Sequence, residues 1–402
     1  MKNRIALHND YGPPAIPERH RLTELATLFL KLGVTAFGGP AAHIAIMEDE
    51  VVRRRQWLTH EEFLDLLGAT NLIPGPNSTE MAIHIGHRRA GWPGLLVAGS
   101  CFILPAALIV TAIAWAYVRF GQLPKAEGLL YGAKPVIIAV VLQALWGLGR
   151  SALKTKPLAV LGMLATTLSL LGFNELVILF GAGLLVAAAR SSFKQLQPPG
   201  KVTSLLAAMP GFPVAVTAAL PAAMATPFGV WPMFLFFLKV GSVLFGSGYV
   251  LLAFLRADLV DRWGWLTEGQ LLDAIAVGQF TPGPVFTTAT FIGYVLAGVP
   301  GATVATIGIF LPAFFFVAIS GPLVPRLRRS PFAGAFLDGV NVASLALMAA
   351  VTWQLAQVAL TDWIGVLLAS ISGVLLFRFR VNSAWLVLGG AVVGLVAGLL
   401  RT

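Results

Sequence analysis

Leu30-Lys31-Leu32-Gly33, Phe37-Gly38-Gly39-Pro40, Trp57-Leu58-Thr59, Asp65 and Pro74-Gly75-Pro76 follow one another near the start of the chain. At an offset of 208 positions the chain reads Leu238-Lys239-Val240-Gly241, Phe245-Gly246-Ser247-Gly248, Trp265-Leu266-Thr267, Asp273 and Pro282-Gly283-Pro284. The two stretches align without a gap, and after one deleted residue the match resumes: Ile85-Gly86 answers Ile292-Gly293, and Leu104-Pro105 answers Leu311-Pro312. Glycine and proline breaks at matching places in a duplicated apolar unit point to the binding site of a membrane transporter.

The surrounding composition agrees. Of 402 residues, 57% are hydrophobic and 11% charged, against about 25% charged in a soluble domain; the mean hydropathy is +0.81. The expected fold is an all-α integral membrane protein, because only helices of about 20 apolar residues, or closed barrels of much shorter strands, satisfy the backbone in lipid. The net charge of +10 does not indicate nucleic acid, since the basic residues punctuate apolar runs and form no single patch. Cys101 is the only cysteine, which excludes an internal disulfide and a cysteine-based metal site.

About thirteen apolar segments are expected, at 22–47, 63–83, 93–118, 127–148, 157–171, 173–189, 203–226, 229–254, 270–293, 301–324, 335–357, 362–377 and 383–400. They divide into a cytoplasmic tail (1–21), a first six-helix repeat (22–190), a linker with one extra segment (191–228) and a second six-helix repeat (229–402). The odd segment turns the second repeat upside down relative to the first. With the N-terminus inside and the C-terminus outside, 19 basic residues fall on the cytoplasmic side and 6 on the other, as the positive-inside rule requires. Arg53-Arg54-Arg55 is the exception. Either these residues belong to an external interfacial helix, or the first segment bends back at Gly38-Gly39-Pro40 and places them inside.

Candidate site residues follow from the repeat. Lys31 and Lys239 sit inside apolar runs, where a lysine costs roughly 2.5–3.5 kcal/mol and so faces a cavity or a partner; snorkelling to the headgroups is the alternative. Each shares a helix face with a glycine seven residues on, Gly38 or Gly246. The Gly38-Gly39 and Gly246-Ser247 breaks serve either a ligand approaching the backbone or close helix packing. Gly75 and Gly283 lie between prolines that cannot continue a helix but suit the first turn of a new one. A half-helix is therefore expected to begin at each motif. Its first-turn N–H groups, from Asn77, Ser78 and Thr79 or from Val285, Phe286, Thr287 and Thr288, would form an anion site. Glu80 and Lys134 are candidates for a proton or charge relay, and Lys134 matches Asn341 in the second repeat. Asp65 and Asp273 match each other near segment starts, where capping or topology explains them; His43 and His84 read as structural or interfacial. No His/carboxylate cluster has metal-ligand spacing. His60-Glu61-Glu62-Phe63-Leu64 lacks the second histidine of a zinc protease motif, and neither a phosphate loop nor a nucleophile elbow occurs. No enzyme activity, metal or cofactor is expected.

Phe37-Gly38-Gly39-Pro40, Trp57-Leu58, Asn71-Leu72-Ile73-Pro74-Gly75-Pro76 and Phe102-Ile103-Leu104-Pro105 resemble the chromate ion transporter family, and Gly278-Gln279-Phe280-Thr281-Pro282-Gly283-Pro284 with Ile292-Gly293-Tyr294 resembles its second-half version. Asn71 stands where the second half has Gln279. The resemblance covers both repeats and marks the long, two-domain form. It implies a bacterial inner-membrane exporter of chromate that confers chromate resistance, with sulfate as a structural analogue. A transporter of sulfate or another oxyanion is the nearer rival, and a non-transporting membrane scaffold is the rival of another class. The expected partners are chromate, sulfate as its analogue, and the lipid bilayer, with no nucleic acid; a homodimer is left open.

Overall fold

A computed structural model describes residues 18–37, 39–121, 124–195, 228–245, 250–379 and 381–401. Every regular element among them is helical. Among the described residues, four stretches are long and apolar enough to cross a membrane: Asn77–Phe120, Gly128–Ala152, Val285–Ser320 and Pro331–Ala359. Many large apolar side chains are exposed, among them Leu108, Trp146 and Trp385. That is the surface of a protein solvated by lipid, and the chain is a multi-pass helical membrane protein.

The first expected segment, 22–47, is not one helix. Helix α1 (Glu18–Thr35) stops, and α2 (Gly39–Glu48) begins after a break and runs on as a π-helix, Asp49–Arg54. Gly39 holds a φ of +78°, open to glycine and strained for other residues, and Pro40 suits the first turn of the new helix. The return limb lies along the first. Lys31 Nζ donates to Glu50 Oε1 at 3.0 Å, and His43 Nε2 lies 3.1 Å from the Ala36 carbonyl oxygen. The loop after the π-helix therefore returns to the end of α1 where the chain enters. Trp57 sits there, with the guanidinium carbons of Arg55 and Arg89 5.1 and 4.9 Å from its ring centre, and Arg89 pairs with Glu24 at 2.9 Å. Of the two readings of Arg53-Arg54-Arg55, this geometry fits the bend at Gly38-Gly39-Pro40.

Helix α3 (His60–Thr70) starts with a capping box between Thr59 and Glu62, satisfying two otherwise unpaired donors. The Thr59 backbone N–H and the Arg88 guanidinium hold the Glu62 carboxyl below its usual range. After Pro74-Gly75-Pro76 comes α4 (Asn77–Phe120). Its 44 residues would reach about 66 Å if straight, twice a bilayer core. The helix breaks at Ala90 (φ −144°, ψ 26°) and Gly91 (φ 60°, ψ −146°), so residues 77–89 form a half-helix folded against the span that follows. At the crossing, a Cβ built on Gly86 would lie 2.2 Å from the Gly94 carbonyl oxygen.

Four more helices complete the first repeat and open the second: α5 (Pro124–Ala152), α6 (Lys156–Leu170), α7 (Glu175–Gln195) and α8 (Val230–Val243). The hairpin expected at Gly172 and Asn174 is present, with Gly172 at φ +82° and Asn174 Oδ1 accepting from the Leu176 N–H at 3.0 Å. The expected segment 203–226 lies outside the described residues. The second repeat continues with α9 (Leu251–Phe254), which runs into a π-helix, Leu255–Arg262, then α10 (Glu268–Phe280) and a 3-10 turn, Val285–Thr287. Helix α11 (Thr288–Arg329) breaks at Ala297 and Gly298 as α4 does at Ala90 and Gly91. Helices α12 (Pro331–Ala359), α13 (Trp363–Phe379) and α14 (Ser383–Arg401) follow.

The thirteen-segment picture thus needs correction within each repeat: the first two apolar segments are broken helices with short limbs. The two repeats are also packed through each other. Helix α14 meets α5 at Gly132 and Gly390, where a Cβ on Gly132 would come within 2.0 Å of the Gly390 carbonyl oxygen; small residues permit such approach of helices in lipid. Helix α11 packs on both α4 and α8, and α12 on α6 and α7.

Candidate functional site

The helix breaks meet in two pairs across the repeats. The Gly75 N–H donates to the Leu244 carbonyl at 2.8 Å, and the Gly283 N–H donates to the Ala36 carbonyl at 2.9 Å. Each Pro-Gly-Pro turn is thereby bonded to the end of the broken first helix of the other repeat. Gly75 and Gly283 adopt φ of +143° and +85°, and a side chain at either would displace a neighbour. A Cβ on Gly283 would lie 2.5 Å from Ala106 Cβ, and one on Gly75 would lie 2.4 Å from Glu80 Oε1. Gly38, Gly246 and Ser247 lie outside the described residues.

A half-helix begins after each turn, with Pro76 and Pro284 as caps that offer no side-chain acceptor. The set of donors is smaller than expected. The Thr79 and Glu80 N–H groups both donate to the Pro76 carbonyl, at 2.8 and 3.0 Å, and the Thr287 N–H donates to the Pro284 carbonyl at 3.0 Å. The Thr288 N–H goes to the Phe286 and Val285 carbonyls. Asn77 and Ser78 in the first copy, and Val285 and Phe286 in the second, are the first-turn residues whose N–H groups stay clear of these bonds. Among the side chains, Thr287 and Thr288 hydroxyls donate to the Pro284 and Val285 carbonyls, both at 2.8 Å, and Asn77 Nδ2 donates to Asn71 Oδ1 at 2.9 Å. The buried Thr79 hydroxyl and both oxygens of the fully buried Glu80 have no partner among the described residues. The first copy is the one with unsatisfied polar groups at its turn.

The lysines arrive differently from the expectation of two free cations. Lys31 is ion-paired with Glu50 and is half exposed. Lys239 is ion-paired with Asp258, with its Nζ 5.5 Å from the centre of the Phe236 ring. Each lysine charge is answered by a carboxylate nineteen residues on, as expected where an ionised group leaves bulk water. Glu50 and Asp258 are 208 residues apart, as are Arg54 and Arg262, which complete the cluster at 3.7 and 2.6 Å from the carboxylates. The same offset that picked out the lysines could have found their partners. Lys134 is ion-paired too. It pairs with Asp273 Oδ1 at 3.1 Å, and Asp273 Oδ2 accepts from the Tyr117 hydroxyl at 2.9 Å. Asp273, read from sequence as a cap, instead ties the second repeat to the first. His43 and His84 are buried, His43 with its ring edge-on to Phe102.

This geometry has relatives. The family model described as "Chromate transporter" matches residues 23–187 and again 231–395. The chain is 34% identical over 386 residues to a "Chromate transport protein" of Cupriavidus metallidurans, covering 94% of each chain. It is 32% identical over 346 residues to a "Probable chromate transport protein" of Synechococcus elongatus, covering 85% of this chain and 86% of that one. A "Chromate transport protein" of Pseudomonas aeruginosa is 31% identical over 401 residues, covering 96% and 94%. No solved structure matches. The two matched stretches coincide with the two sets of helix breaks, and the chain belongs to the chromate transporter family.

Proposed function

We propose that the chain exports chromate, a tetrahedral dianion, from the cytoplasm across the bacterial inner membrane and so confers chromate resistance. The reading rests most on the reciprocal bonds from Gly75 to Leu244 and from Gly283 to Ala36, each of which brings a half-helix N-terminus to the broken helix end of the other repeat. Such ends carry partial positive charge and unpaired N–H donors, which suits a small dianion with no apolar face. Lys31 and Lys239 act on it as members of their Lys–carboxylate–Arg clusters.

Alternating access between two repeats of opposite orientation is the mechanism that fits. The loop before α3 meets Arg88 and Arg89, at the start of the long span of α4. Asp273 in α10 meets Tyr117 and Lys134, near the other end of that span and the start of α5. The corresponding elements of the two repeats therefore face opposite ends of the same helix, which supports inversion, with the N-terminus cytoplasmic and the C-terminus outside. Moving two negative charges outward down an inside-negative potential of 100 mV gains roughly 4.6 kcal/mol, at about 2.3 per charge. Glu80, buried beside Gly75 without a partner among the described residues, is the group assigned to any coupled proton. Uptake into inverted vesicles holding the purified chain, with chromate and sulfate in competition, tests the reading. Potential-driven chromate uptake is expected; preferential sulfate uptake would make the chain a sulfate transporter, and no anion flux would make it a scaffold.

A further inference from the structure

Each repeat builds the same surface corner, and in the first copy three arginines line it. In the first repeat, the Trp57-Leu58-Thr59 start of α3, the end of the half-helix at Arg88-Arg89 and Arg21 in α1 enclose a cavity of about 280 Å³. That is room for several waters, at about 30 Å³ each. Three arginines line it against the single carboxylate of Glu62. Arg88 Nη2 donates to Glu62 Oε1 at 3.0 Å, and Arg89 Nη2 donates to Glu24 Oε2 at 2.9 Å. Arg21 has no carboxylate partner among the described residues; its Nη1 donates to the Arg89 carbonyl at 3.3 Å. The Nε groups of Arg21 and Arg89 are buried and have no acceptor among the described residues. Buried donors are nearly always satisfied, so an acceptor from outside the chain is called for.

The second copy shows that the arginines are not needed to build the corner. Trp265-Leu266-Thr267 and a Thr267–Gln270 capping box repeat the Thr59–Glu62 arrangement. Trp263 stands where the first copy has Arg55, Gly229 where it has Arg21, and Val295-Leu296 where it has Arg88-Arg89. Trp263 and Trp265 pack with ring centres 4.6 Å apart, flanked by Phe236 and Phe228. The corner folds in the second repeat with an aromatic stack and no arginine at those four positions.

We propose that the basic cavity is a second oxyanion site, at the membrane surface, which holds a tetrahedral phosphate-like group through the Arg21 and Arg89 guanidinium groups. The occupant is either the transported dianion on its way to the helix breaks, in which case the site rests on the transport reading, or the phosphate of an anionic phospholipid headgroup. Guanidinium forks suit such oxygens better than ammonium groups do.

The decisive variant is Arg21→Gln, because Arg21 leaves no carboxylate stranded when it is replaced, whereas Arg88 and Arg89 would strand Glu62 and Glu24. The full-length chain is placed in nanodiscs of phosphatidylcholine alone, and bound radiolabelled chromate is counted per chain. Two anions are expected on the wild type and one on Arg21→Gln. In vesicles the variant should raise KM for chromate about tenfold, the loss of one charge-assisted hydrogen bond, with the maximal rate little changed; Arg21→Lys should fall between. In discs containing phosphatidylglycerol, native mass spectrometry reads the other source: lipid retained by the wild type and lost from Arg21→Gln assigns the site to the headgroup. Equal chromate binding, equal KM and equal lipid retention in wild type and Arg21→Gln would overturn the site while leaving the transport reading intact. A wild type that moves no chromate would overturn the transport reading, and the lipid arm would still decide the site.

Discussion

The return limbs of the two repeats, Glu48 to Glu62 and Arg256 to Gln270, are the same piece of backbone with different charges. Both carry a π-helix, a Lys–carboxylate–Arg cluster and a capped start to the next helix. In the first, Glu50 accepts from Lys31 and lies 3.7 and 3.4 Å from Arg54 and Arg55. In the second, the shorter Asp258 serves Lys239 and Arg262 and is more deeply buried, 2% exposed against 9%. Beyond the cluster the first corner turns basic and the second aromatic. The shared parts hold the broken helix in place. The parts that differ lie beyond the cluster, and under the inverted arrangement proposed above they would face opposite sides of the membrane.

The turns themselves should give the largest effects. Gly283→Val must push against the backbone-bound Ala106 Cβ and the Gly33 carbonyl oxygen at 3.2 Å, at a φ that β-branched residues avoid. It is expected to reduce the amount of folded protein in the membrane. Gly75→Val meets a side-chain tip, Glu80 Oε1, so it should insert and fail to transport. Blotting of membrane fractions beside vesicle uptake separates the two; equal insertion of both variants would show that the second turn is no more tightly packed than the first.

The carboxylates come next. Asp258→Asn leaves Lys239 and Arg262 without a counter-charge and should cost up to about 3 kcal/mol, the lower end for breaking a buried pair because both cations keep some exposure. Glu50→Gln should cost less, since Lys31 is half exposed and exposed pairs are worth about 1 kcal/mol or less. Thermal unfolding of the purified variants measures both. A larger loss for Glu50→Gln would reverse the ranking of the two clusters. Adding Lys239→Met to Asp258→Asn should recover part of the stability.

A tie between repeats is weaker still. Lys134→Met removes the ion pair to Asp273 but leaves the Tyr117 hydrogen bond, and about 1–2 kcal/mol of destabilisation is expected. An unchanged unfolding midpoint would show that the pair adds nothing to the join. The smallest effects separate two threonines. Thr287→Val loses a bond to the Pro284 carbonyl and should cost about 1 kcal/mol with KM unchanged. Thr79→Val loses a hydroxyl that has no partner among the described residues, so stability should hold while KM for chromate rises a few-fold. Unchanged KM in Thr79→Val would mean that the hydroxyl does not touch the anion.

The amino-acid sequence by itself determined the membrane class, the duplication, the half-helix start after each Pro-Gly-Pro turn and the hairpin at Gly172. All of these are local: apolar run length, the missing proline N–H and the torsional freedom of glycine act within a few residues, and so can be read in order along the chain. The tertiary structure decided the rest. Lys31 looks like a lone charge in an apolar run until the chain reverses between Thr35 and Gly39 and brings Glu50 to it. Lys134 and Asp273 lie in different repeats and meet only after the repeats pack through each other. Gly75 and Gly283 read as equivalent, yet one faces a side-chain tip and the other a backbone wall. Charge pairing and close packing are properties of distance in space, and a helix that breaks and returns makes that distance unrelated to separation along the chain.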